Sequence, residues 1–151
     1  MRVYFNTSAL NRPLDDLSSE RVRIEAEAVV ALLAAVEGGI VEWIGSEYLE
    51  FEVEQDPDDE RVRRVRGLLV GARMRVPASD AVADRARALE RLGLRGLDAL
   101  HVASAEAGGA DLLITTDDRM IRRAARVVRG LRVRLVTPPE AVLLLPRRPS
   151  R

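Results

Sequence analysis

The 151-residue chain contains no cysteine and no lysine. Without cysteine there is neither a disulfide framework nor thiolate chemistry, which fits a reducing compartment. Without lysine there is no amine nucleophile, no Schiff base and no P-loop lysine. All 24 basic residues are arginine, the usage expected of a GC-rich genome, and 24 acids balance them to a net charge of zero. A general basic footprint for nucleic acid is therefore missing. Aromatic residues make up 3 % of the chain, too few for a base-stacking platform. The single histidine, His101, excludes a histidine-rich metal site and is expected to pack against a neighbouring helix. No apolar run is long enough to span a membrane and the first residues carry no signal-peptide pattern, so the expected location is the cytoplasm.

What is present is globular: 47 % hydrophobic and 32 % charged residues, in a length that suits one domain. We place that domain at residues 1–145 and expect residues 146–151 to be a disordered tail. Strand-like and helix-like segments alternate. Short apolar runs at Val3–Phe5, Ile40–Gly45, Met74–Pro77, Ala110–Thr116 and Leu131–Val136 read as strands. Helical spacing covers Asp16–Gly38 (capped by Asp16 or Ser18), Glu47–Glu54 (capped by Ser46), Asp59–Ala72, a segment after Ser79, Leu97–Ala107, Asp118–Val128 and a last helix in TPPEAVLLL. Such alternation implies an α/β fold with a mostly parallel sheet covered by helices on both faces. Ligands in such folds bind beyond the carboxyl ends of the strands, which directs attention to Asn6, to Ser46 and the helix after it, and to Asp117.

Three acids are candidates there. Glu52 falls inside the apolar arc that Tyr48, Leu49 and Val53 form on their helix. An inward carboxylate must be paired, protonated or metal-bound, and a buried salt bridge to an arginine competes with a metal. Asp98 opens the nearly all-apolar helix LDALHVASAEA, either as a ligand or as an ordinary first-turn or capping acid. Asp117 ends ADLLITTD, where it either faces the ligand site or caps the following helix, with Thr115 and Thr116 placed to orient it. Carboxylates gathered without lysine or histidine counter-ions repel one another, and a hard divalent cation, Mg²⁺ or Mn²⁺, resolves that repulsion. Phosphodiester hydrolysis is the chemistry such a site best suits.

These stretches resemble a known family. VYFNTSALNRP, SEYLEFEVE, GLDALHVASAEAGGADLLITTDDRM and TPPEA together cover nearly the whole chain. In this order they resemble PIN domains, specifically the VapC-type toxin ribonucleases of prokaryotic toxin–antitoxin pairs. The resemblance implies a three-layer α/β/α PIN-like fold with a four- or five-stranded, mostly parallel sheet between helices, a Mg²⁺- or Mn²⁺-dependent endoribonuclease, a homodimer and an antitoxin partner. It places the family's acids at Glu52, Asp98 and Asp117, with Thr116 as a supporting hydroxyl. The family's first acid closes strand one in a pattern like Y-L-D-T-S-A-L, and here that position is Asn6. Asn6 has nearly the shape of the ligand and none of its charge, so the resemblance implies an inactivated metal ligand. An engineered exchange or a degenerate natural copy explains it, and the intact flanking residues favour the first.

On the Asp118–Val128 helix, Arg119, Arg122, Arg123 and Arg126 share a face that starts beside Asp117. This stripe is either a solvated face or a track for a phosphate backbone, and Arg12 is a further phosphate candidate. Arg61, Arg63, Arg64 and Arg66 are expected to solubilise their helix or to meet an antitoxin's acids. The alternative to a nuclease is a non-catalytic, degenerate domain that acts as a protein-interaction module. A phosphatase or phosphoacceptor is disfavoured by the missing lysine.

Overall fold

The computed structural model describes residues 1–147; the remainder of the expected disordered tail, 148–151, lies outside the described residues. Its centre is the strand β1 (Arg2–Phe5), whose Val3, Tyr4 and Phe5 are fully buried, as a parallel strand covered on both faces requires. On one side β1 pairs with β2 (Glu42–Ser46), which pairs with β3 (Met74–Val76); on the other it pairs with β4 (Leu112–Ile114), which pairs with β5 (Arg134–Val136). All pairings are parallel and the order is β3-β2-β1-β4-β5. Val3 lies opposite Trp43 on one side and Leu112 on the other.

The connections are helical. Helices α1 (Thr7–Asn11) and α2 (Glu20–Glu37), joined through a 3₁₀ turn at Arg12–Leu14, lead from β1 to β2. Helices α3 (Glu47–Glu54) and α4 (Asp59–Leu69) lead to β3, and α5 (Asp80–Leu92) and α6 (Gly96–Ala107) return the chain to β4. Helix α7 (Asp118–Ala125) joins β4 to β5, and α8 (Pro138–Leu143) follows. Right-handed crossovers put the connections that move toward β3 on one face and those that move toward β5 on the other. The packing agrees: α8 folds back onto α2, while α5 lies on α6 and α6 lies against β2, β3 and β4. The sheet core is filled by Tyr4, Phe5, Trp43, Ile44, Leu113 and Ile114. Phe5 meets Trp43 edge to face at 5.1 Å between ring centres. No helix among the described residues is long and apolar enough to cross a membrane.

The element types match the sequence reading; several boundaries do not. The helix expected over Asp16–Gly38 starts at Glu20, because Ser19 rather than Asp16 or Ser18 caps it, accepting the Val22 N–H. Asp16 instead accepts the Ser18 N–H at 3.0 Å in the preceding turn. The strand expected over Ala110–Thr116 keeps three residues, Leu112–Ile114. The residues after it turn out of the ladder to build the cap of α7, which ends at Ala125 rather than Val128. Likewise α4 stops at Leu69, β5 begins at Arg134, and β2, Glu42–Ser46, starts two residues late and ends one residue late.

One glycine is dictated by packing. Gly108 closes α6 against β2 so tightly that a Cβ would lie 2.3 Å from Ile44 Cγ2 and 3.1 Å from Val76 Cγ2.

Candidate functional site

Strand order reverses between β1 and β4: the chain leaves β1 toward β3 and later leaves β4 toward β5. The crevice at the carboxyl ends of those two strands is the expected ligand site. Asn6 stands there directly after β1, and its N–H extends the ladder to Ile114 O at 2.9 Å. The side chain is buried and fully engaged. Oδ1 caps α1 by accepting the Thr7 N–H at 2.9 Å, and Nδ2 donates to Thr115 Oγ1 at 3.1 Å, with Met120 Sδ 3.6 Å away. The amide NH₂ thus points into the protein. Thr115 Oγ1 also accepts the Asp117 N–H at 3.1 Å. With two donors already on it, its own proton goes to Ser8 Oγ at 3.2 Å. Ser8 Oγ takes the Thr116 N–H as well, at 3.2 Å. The hydroxyl that supports position 6 is therefore that of Thr115. Thr116, the residue expected from the resemblance, contributes its backbone N–H, and no side-chain hydrogen bond ties it to the site among the described residues.

The three acids come from three helix starts or faces and converge near this point. Asp117 is the N-cap of α7: its Oδ1 accepts the N–H groups of Arg119 at 2.9 Å and Met120 at 3.2 Å. The capping role read from the sequence is real and uses one carboxylate oxygen, while Asp117 Oδ2 has no hydrogen bond among the described residues. Asp98 lies in the first turn of α6, whose N-cap is Arg95. Burial raises the Asp98 pKa above the ordinary carboxylate value, and so do the negative charges of Asp117 and, less strongly, Glu52; His101 and Arg123 oppose them. Glu52, on α3, is one-quarter exposed and lies 3.3 Å from His101 Nε2. Burial pushes its pKa up, but the adjacent His101 ring, with help from the Thr7 hydroxyl, brings it below the usual range. Asp98 feels the charges of both other acids, Asp117 more strongly than Glu52, which puts the three within electrostatic reach of one another.

Among the described residues no three His, Asp or Glu side chains close on a single point as in a complete metal cage. The donors are nonetheless all hard oxygens of like charge, and the buried Thr7 Oγ1 among them makes no hydrogen bond of normal geometry. Such a set fits Mg²⁺ or Mn²⁺, which keep several waters and need only one or two carboxylates from the protein.

Beneath the acids runs a chain of buried polar groups that the sequence reading did not assemble. His101 Nδ1 lies 2.7 Å from Tyr4 Oη, Tyr4 Oη lies 2.7 Å from Ser46 Oγ, and Ser46 Oγ accepts the Leu49 N–H at 3.0 Å, capping α3. Burial holds the Tyr4 phenol well above its ordinary pKa, so it is protonated. In the sequence Tyr4 lies two positions before Asn6, Ser46 just before the helix of Glu52 and His101 three residues after Asp98, but no local pattern joins the three.

The arginines divide. Arg12 Nη1 and Nη2 pair with Asp15 and the buried Glu25, each at 3.1 Å, so Arg12 is not free for phosphate. Arg61 is tied to Asp15 at 2.8 Å and to the Leu14 carbonyl at 3.1 Å, and Arg64 and Arg66 are paired with Glu60 and Glu54. Arg123 turns toward Asp98, at 3.8 Å. Arg119 and Arg122 are exposed and carry no ion pair among the described residues. Asp118 has turned away from the cleft into a 2.7 Å ion pair with Arg21.

The fold and site together define a parallel α/β protein with an acidic crevice at its topological switch point. The sequence profile of the PIN domain matches residues 3–127, and the chain belongs to that family. Solved structures share the fold. One is VapBC2 from Rickettsia felis bound to a DNA fragment from its promoter: 13 % identity, TM-score 0.56, covering 91 % of this chain and 98 % of that one. Another is VapBC-1 from nontypeable Haemophilus influenzae: 15 % identity, TM-score 0.57, covering 92 % and 99 %. No curated protein sequence matches the chain.

Proposed function

We propose that this chain is a PIN-domain endoribonuclease of the VapC toxin kind, silenced at Asn6. What supports the proposal is that Asp117 meets position 6 through Thr115 Oγ1 and that the charges of Asp117 and Glu52 are felt at Asp98. Glu52, Asp98 and Asp117 would hold Mg²⁺ or Mn²⁺, with Asn6 Oδ1 as a neutral substitute for a fourth carboxylate oxygen. When bound, such an ion orients and acidifies water and stabilises charge on a phosphoryl oxygen. The protein's own part is to hold Glu52 ionised beside His101, to fix Asp117 by the α7 cap, and to present Arg119 and Arg122 to the RNA backbone. Asn6 weakens this assembly in two ways: it removes one negative charge, and its Oδ1 already accepts the Thr7 N–H. The likeness to VapBC complexes supports an antitoxin as protein partner; a homodimer is what the family resemblance of the sequence implies.

The test is Asn6→Asp. The variant is expected to bind Mn²⁺ in a calorimetric titration and to cleave single-stranded RNA at least about 100-fold faster than the unaltered chain, given that even outer-shell changes at metal sites cost 10–100-fold. If the aspartate form neither binds Mn²⁺ nor cleaves RNA, the catalytic reading is wrong.

One observation favours the second reading, a non-catalytic interaction module. The Asn6 amide is fully satisfied as an amide, with Nδ2 on Thr115 and Oδ1 on Thr7. On this reading Asn6→Asp yields an inert protein that still binds its partner.

A further inference from the structure

His101 is 1 % exposed and is the one histidine in the chain. We propose that it is a positioning residue for Glu52, held as the Nε2–H tautomer by a directional hydrogen-bond chain through Tyr4 and Ser46. The consequence for metal affinity rests on the nuclease reading above; the direction of the chain does not.

The direction follows from counting protons. The Leu49 N–H can only donate, so Ser46 Oγ accepts it. The Ser46 proton then needs an acceptor, and among the described residues the one hydrogen-bond partner left to Ser46 is Tyr4 Oη at 2.7 Å. Tyr4, receiving that proton, donates its own to His101 Nδ1 at 2.7 Å. A ring that accepts at Nδ1 and is neutral carries its hydrogen on Nε2, the nitrogen 3.3 Å from Glu52 Oε2. Reversing the chain strands the Ser46 proton and faces a bare Nε2 lone pair against a carboxylate. All three polar members are buried, so water cannot repair either fault.

The Nε2 to Oε2 contact has ion-pair distance but is off hydrogen-bond alignment. A modest turn of the Glu52 carboxylate, which is on the cleft side, aligns it. One oxygen is then fixed by His101 and the other is left for the cleft. Ser46 also caps α3, the helix that carries Glu52. The same hydroxyl thus sets both the helix start and the histidine tautomer, coupling β1, β2, α3 and α6 at the site.

The test uses the full chain. Long-range ¹⁵N–¹H spectra of the metal-free protein at pH 7 are expected to show His101 as neutral Nε2–H; an Nδ1–H ring or a cationic ring overturns the proposal. Tyr4→Phe keeps the packed ring and removes the donor to Nδ1. It is expected to mix the tautomers and to shift the Glu52 carboxyl ¹³C signal, with an unfolding transition confirming that the fold persists. An unmoved Glu52 signal overturns the proposal. In the Asn6→Asp background, Tyr4→Phe is expected to weaken Mn²⁺ binding about 10-fold or more. There, His101→Gln, which keeps a donor near the Nε2 position, is expected to bind Mn²⁺ more tightly than His101→Asn, which keeps one near Nδ1. Equal affinities for Gln and Asn overturn it. If Asn6→Asp itself binds no Mn²⁺, the nuclease reading falls, and the tautomer and the Glu52 signal still decide the role of His101.

Discussion

Asp98 is charged against its surroundings. Burial and the neighbouring Asp117 raise its pKa, so the ionised form costs the native state stability at neutral pH. The sign follows from the two states. An unfolded Asp titrates near pH 3.9, and the folded carboxyl titrates higher. The protonated form favours the fold, fully below the unfolded value, and that benefit is lost as pH rises through the folded one. Asp98→Asn is therefore expected to raise the thermal midpoint at pH 7 and to give no gain near pH 3, where the native carboxyl is already neutral. Melting curves of both proteins at the two pH values check this, and equal midpoints at pH 7 would contradict it. The same exchange in an Asn6→Asp background is expected to abolish Mn²⁺ binding and cleavage. Stability and function then oppose each other at one side chain, as is common at sites built for a ligand. Glu52 behaves oppositely: its pKa is lowered, so it contributes stability above its unfolded value that is lost as pH falls through the folded one.

At the scale of elements, the site depends on how closely α6 lies on β2, and Gly108 sets that distance. Gly108→Ala would drive a methyl into Ile44, which is itself fully buried. Overpacking of this kind costs about 1–3 kcal/mol, to be read from urea unfolding; a change within error would mean that the α6 end shifts freely. The elements themselves were legible in the sequence because their signals are local. Apolar runs bounded by turns gave the strands, and Ser46, Ser79 and Thr137 each cap the helix that follows them. The failures are also local in origin. Ser18 and Ser19 are chemically equal candidates, and only the fold decides which hydroxyl meets a free N–H. Thr115 and Thr116 pose the same problem. Their side chains alternate across the strand end, and the one facing Asn6 depends on the pairing of β1 with β4, which no short window of sequence encodes. Glu52 stands out in the sequence because its inward placement breaks a helical pattern. His101, Tyr4 and Ser46 break no pattern, since each passes as ordinary core or cap until the strands bring them together.

Over the whole molecule, a net charge of zero conceals a strong sorting of arginines. Most of those near the sheet's carboxyl edge are spent on acids: Arg12 on Asp15 and Glu25, Arg21 on Asp118, Arg61 on Asp15. Arg119 and Arg122 are exposed instead, on the helix that Asp117 caps. A phosphate chain leaving the acidic crevice along α7 would meet them first, and the counterions it sheds there would appear as salt dependence. If Asn6 silences the chain as proposed, the unaltered protein can be titrated with single-stranded RNA at equilibrium. Replacing both arginines, Arg119→Ala with Arg122→Ala, is expected to weaken binding and to flatten the slope of log affinity against log salt by roughly 1.4, about 0.7 for each single-strand phosphate that is no longer neutralised. Arg64→Ala removes an equally exposed charge that is paired with Glu60 at 2.9 Å on α4, and it is expected to leave the slope unchanged. If all three replacements change the slope equally, the attraction is diffuse and α7 is not the track. A slope that none of them alters would place the RNA elsewhere on the protein.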